Sequence, residues 1–139
     1  MTALTSTRNR TYGSGVPPLF RDYKVKTGVT IYKGAGLSHD AGYVRPLASG
    51  DTVFVGIAEE TVVAGAAASG TYTVKVRTEG EELVPSVGTY TIANIGSAVY
   101  ALDDSLPYSH DNTNSATVGE LGAYDGTDYH VIFRGVNAA

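Results

Sequence analysis

Apolar and polar positions along this chain alternate in short bursts, and glycine or proline opens or closes nearly every burst. Residues 71–78 give the cleanest pattern. Tyr72, Val74 and Val76 fall on one side, and Thr71, Thr73, Lys75 and Arg77 on the other. A period of two predicts a strand with one buried face. Residues 50–63 differ. There Val53, Val55 and Ile57 alternate with Phe54, Gly56 and Ala58, so both sides are apolar. That predicts a central strand covered on both faces, around which the rest is organised. Its glycine-started opening recurs at residues 28–32 and 96–100, at spacings too unequal for a solenoid repeat.

Further strands are predicted at residues 23–25, 29–33, 43–47, 90–92, 97–102, 117–124 and 129–134. Pro46 cannot donate to a ladder, which makes residues 43–47 an edge. Asp125-Gly126 predicts a hairpin turn between the last two strands. Gly34–Gly36, the acidic Glu79–Glu82 and the polar residues 103–116 read as turns. Residues 59–64 either continue a strand or make a helical turn, and residues 65–70 form a small-residue loop. The longest body window free of glycine and proline, residues 108–118, is polar, so almost nothing permits a helix. Many short strands with glycine turns predict an all-β fold, a small β-barrel or β-sandwich.

The chain of 139 residues fits one domain, and 42% hydrophobic content can fill a core. Residues 1–20 have no apolar period and read as an extended or flexible N-terminal arm; residues 21–139 form the single β domain. Pro17 and Pro18 force extended geometry just before Leu19 and Phe20, the first bulky apolar pair. The arm is therefore either a floppy terminus or a segment that meets the body or a partner there.

Net charge is −4, with the excess of cations in residues 1–26 and an acidic remainder. An acidic body does not attract nucleic acid. No apolar run approaches a membrane span, and the N-terminus lacks the apolar core of a signal peptide, so the expectation is a protein made and kept in the cytoplasm until released. Absence of cysteine excludes disulfides and thiolate metal sites.

Catalytic chemistry is thin. Ser38, His39 and Asp40 are adjacent, and neighbouring side chains diverge where a triad needs convergence. Residues 111–114 begin like a calcium loop but lack its glycine and its closing glutamate, where Ala116 and Gly122 stand. Asp125, Asp128 and His130 could meet a metal across a turn, although a turn aspartate and a strand histidine explain them more simply. The expectation is no catalytic residue, no metal and no cofactor: a structural or binding protein.

From about Arg21 to Arg134 the chain resembles the capsid cement (head decoration) proteins of tailed bacteriophages. The resemblance rests on elements in order: residues 21–34, 42–47, 54–60, 74–80, 95–104, 118–121 and 130–133. Each element is a glycine turn plus a strand, and order and spacing together make them specific. The arm of residues 1–20 has no counterpart in this alignment.

The resemblance implies a β-tulip-like barrel or sandwich on the outer surface of an expanded icosahedral head, holding the shell against internal DNA pressure. It implies the major capsid protein as partner, a homotrimer at three-fold and quasi-three-fold positions (some relatives are monomers), and no enzymatic activity or cofactor. It places the protein on the virion, and in the host cytoplasm during assembly. Capsid contacts are then expected on the basic, proline-containing arm, at Arg8, Arg10, Tyr12, Pro17, Pro18, Leu19 and Phe20. Leu19 and Phe20 read equally well as core residues over the barrel's open end. Two other readings stand beside this one. One is a virion adhesion or carbohydrate-binding module, with ten tyrosines but no tryptophan. The other is a small hydrolase built on Asp125, Asp128 and His130.

Overall fold

The computed structural model describes residues 3–135 and the two-residue strand Asn137–Ala138. Met1 and Thr2 of the expected arm, and Val136 and Ala139 of the expected body, lie outside the described residues.

The fold is all-β, with a large curled sheet. Its strands are β1 (Leu19–Lys24), β2 (Thr30–Ile31), β3 (Gly36–Asp40), β4 (Tyr43–Pro46), β5 (Val53–Phe54), β6 (Gly56–Ala58), β7 (Val62–Val63), β8 (Thr73–Val84), β9 (Ala98–Ala101), β10 (Ala116–Tyr124), β11 (Tyr129–Arg134) and β12 (Asn137–Ala138). The main sheet runs β4-β3-β6-β8-β11-β10-β9, and β1 also pairs with β8. Two-stranded ribbons, β5 with β12 and β2 with β7, complete it.

The central strand is β8, not residues 50–63. The latter is broken into β5, β6 and β7, which belong to three different sheets. Gly56 lies at the break. A Cβ there would sit 2.4 Å from the Arg77 carbonyl oxygen, so only glycine permits this approach. The expected burial on both faces does hold. Residues 54–58 are all buried, and they pass between two cores. Phe54 and Ile57 enter the larger core with Val99, Leu121, Val131 and Phe133. Val55 and Ala58 enter the other, with Ile31, Leu37, Val44, Val74 and Val76. Phe54 and Phe133 meet edge to face, ring centres 6.2 Å apart.

The sheet curls because β10 is bulged twice, between Thr117 and Gly119 and between Leu121 and Ala123. At Gly119 a Cβ would collide with the Ile132 carbonyl oxygen at 1.8 Å, so the bulge requires glycine. The hairpin at Asp125 and the edge strand ending at Pro46 form as expected.

Other expectations change. Residues 90–92 make no strand; Ile92–Asn94 is a 3-10 turn capped by Thr91. Tyr72 is 46% exposed and is not a core residue. Ser38, His39 and Asp40 lie on a strand, β3, that alternation did not reveal. The acidic Glu79–Glu82 is no turn. It is the middle of β8, and Glu81 and Glu82 are both buried.

Candidate functional site

Two buried carboxylates in mid-strand need partners, because an unpaired buried charge is strongly unfavourable. The N-terminal arm supplies them. Arg10 NH1 donates to both oxygens of Glu82 at 3.1 Å, and the side chains are 1% and 5% exposed. Tyr108 Oη donates to Glu82 Oε1 at 2.5 Å. The remaining guanidinium donors are also used: Nε reaches the Gly34 carbonyl at 2.6 Å and NH2 the Ser105 carbonyl at 3.0 Å. A planar, five-donor group suits this crossing better than an ammonium could. Burial, followed by the Glu82 carboxylate, pushes the Tyr108 hydroxyl well above its ordinary range.

Backbone bonds extend the attachment. Leu4 N–H donates to Asp104 Oδ1, Arg8 N–H to the Lys33 carbonyl and Gly13 N–H to the Glu81 carbonyl, while Leu83 N–H donates to the Thr11 carbonyl. Tyr12 bridges to Glu82 as an isolated β partner. A Cβ on Gly34 would meet the Arg8 carbonyl oxygen at 2.0 Å, so the arm lies directly on that turn.

Glu81 serves the next residues. Its Oε1 accepts from Gly15 N–H at 3.0 Å and lies 3.3 Å from His130 Nδ1. The other ring nitrogen, Nε2, is 3.0 Å from Asp125 Oδ2. Burial pulls the His130 pKa down, but hydrogen bonding to Asp125 and the charge of Glu81 outweigh it, so His130 titrates above its ordinary range. The Asp128 and His130 bonds, with the Thr127 amide, hold Asp125 down to about 2. The imidazole separates the two carboxylates instead of pointing with them at one spot. Among the described residues no group of three His, Asp or Glu side chains could hold a metal ion.

The expected contact residues therefore separate. Arg10 is buried and fully engaged inside the chain. Tyr12 is half-buried, its ring 3.7 Å from the Arg77 guanidinium. Arg8, Pro17 and Pro18 are exposed. Leu19 and Phe20 are 38% and 36% exposed and open β1 instead of closing a barrel end. Phe20 stacks near Lys75 and Arg77, with ring-to-cation distances of 5.0 and 4.9 Å.

Among the described residues β1 pairs only with β8, and its other edge stays unpaired until Val25, just past the strand, bridges to Val44 of β4. Sequence reasoning missed Glu81 and Glu82 as anchors. The available signal was acidic residues following an unbroken alternation, with Arg10 as a counter-charge far upstream.

Ser38, His39 and Asp40 do not converge as a triad. His39 Nδ1 accepts from Gly42 N–H, and Asp40 pairs with Lys26 and Arg45. Comparison with protein-family models, with curated proteins and with solved structures returns no match to this chain.

Proposed function

We propose that this chain is a non-enzymatic phage head decoration (cement) protein that binds the outer surface of the expanded capsid and stabilises it against internal DNA pressure. The observation that carries the reading is the exposed run from Pro17 to Phe20, which leads into an open strand edge on an otherwise well-packed β body. Edge strands left open with apolar residues beside them are natural places for another chain to add. The order of sequence elements from Arg21 to Arg134 supports the same reading. The partner is the major capsid protein, and three copies gather around each three-fold or quasi-three-fold position. Many such contacts repeated by symmetry hold strongly without a tight single site.

Co-sedimentation of the purified protein with expanded, undecorated capsids, with unexpanded procapsids as control, tests this. Binding to expanded shells alone, saturating at a fixed copy number, is the expected result. Binding to neither shell, together with retention on a glycan array, would replace it with the adhesion-module reading.

A further inference from the structure

Where the arm crosses the β3 and β6 region it leaves a pocket of about 280 Å³. Arg8 comes from the arm, Lys33 from the turn before β3 and Arg77 from β8; Tyr12, Gly34 and Glu59 complete much of the wall. Besides Arg10, already paired with Glu82, three cations thus line one small space in a chain of net charge −4. Among the described residues Glu59 is the one carboxylate in the pocket wall, 3.5 Å from Arg77 Nε. Arg77 Nε is buried and, among the described residues, has no hydrogen-bond partner. Among the described residues the Arg8 guanidinium and the Lys33 ammonium make no salt bridge. Arg77 itself is fixed, with the Tyr12 ring 3.7 Å from its guanidinium and the Phe20 ring at 4.9 Å.

We infer that this pocket is an acceptor site for a single carboxylate side chain of the capsid shell protein, presented beside an apolar residue that packs on Leu19 and Phe20. The inference rests on the cement reading and names the partner's chemistry at its contact. Size admits a side chain, since the space lies at the lower end of the ~300–1,000 Å³ of ordinary small-molecule sites. Charge favours an anion. With Arg10 paired to Glu82, three cations against Glu59 leave an excess of two positive charges, enough to attract a carboxylate. Position favours a protein partner, because the Phe20 ring joins the pocket's Arg77 to the exposed apolar pair on β1.

The test compares matched charge reversals in the full chain. Lys33→Glu removes a pocket cation whose ammonium makes no salt bridge. Arg134→Glu reverses a charge at an exposed site on β11, where Arg134 makes a solvent-exposed pair with Glu120 at 3.4 Å. Lys33→Glu is expected to weaken binding to expanded capsids by about tenfold or more, while Arg134→Glu stays within about twofold. Equal effects, or none from Lys33→Glu, would overturn the inference while leaving the cement reading intact. A second arm does not depend on capsids. Propionate, a monocarboxylate, titrated into the free protein is expected to shift the amide resonances of Arg8, Lys33 and Gly34 to saturation, and not to do so in Lys33→Glu. Unmoved resonances, or inorganic phosphate binding more tightly than propionate, would overturn the carboxylate assignment. If the wild-type protein fails to bind capsids but the propionate shifts appear, the cement reading falls and the site stands.

Discussion

The two halves of the N-terminal arm look alike in sequence and behave differently in the fold. Residues 4–13 are strapped to the body by backbone bonds and by one buried ion pair. Residues 14–20 are nearly all exposed and end in an apolar pair on an open strand edge. Neither half has an apolar period. The difference comes from the body: β8 buries Glu82 at the point where Arg10 crosses it. A long-range counter-charge, together with the backbone bonds around it, therefore separates the part of a polar segment that becomes structure from the part that stays available.

Breaking the strap is expected to have the largest effect. Arg10→Ala leaves Glu82 charged in a dry site and should lower stability by about 3–5 kcal/mol, read from urea unfolding. The double change Arg10→Met with Glu82→Leu removes both charges and should recover most of that loss. If the double variant were as unstable as the single, the ion pair would not be the reason.

Gly34→Ala should come next. It combines a left-handed backbone angle, φ +92, with a collision against the Arg8 carbonyl. A loss of about 1–3 kcal/mol is expected, along with faster proteolysis within residues 3–13. A cleavage rate within residues 3–13 unchanged from the wild type would contradict the placement of the strap.

The Glu81–His130–Asp125 cluster beside Gly15 makes a smaller, pH-dependent contribution. His130 titrates above its unfolded value of 6.5, so its stabilisation is full below that pH and fades as pH rises through the folded pKa. Asp125 titrates at about 2, below its unfolded 3.8, so its contribution is present above 3.8 and fades as pH falls towards 2. Relative to His130→Gln, the wild-type melting temperature should stand highest between these limits. A constant gap from pH 4 to pH 9 would remove the role given to the imidazole.

Leu19→Ala should change stability least, by about 0.5 kcal/mol or less, because surface substitutions away from packed features rarely do more. The same change should weaken capsid binding. A large destabilisation would return Leu19 to the core reading.

The all-β class, the hairpin at Asp125 and the edge at Pro46 were legible because each depends on local chemistry: alternation, turn residues or a missing donor. The break at Gly56 was hidden, because the steric reason for it is the Arg77 carbonyl on a strand distant in sequence. Residues 79–82 looked like a solvated turn because charge in sequence normally means exposure. Only the partners Arg10, Tyr108, His130 and the arm amides reverse that, and none lies within a local window. Of the expected contact residues, Arg8 and Pro17 to Phe20 remain on the surface. Arg10 passes inside for the same reason that Glu82 was misread.

Amide hydrogen exchange on the free and the capsid-bound protein tests the contrast within the arm most directly. In the free protein the amides of Arg8 and Gly13 should exchange slowly, and those of Ser14 and Val16, for which no acceptor is found among the described residues, quickly. On adding expanded capsids, new protection should appear at the outward-facing amides of β1, with little change at Arg8 and Gly13. Fast exchange at Arg8 and Gly13 in the free protein, or protection on the capsid confined to surfaces away from β1, would contradict the division between a closed strap and an open edge.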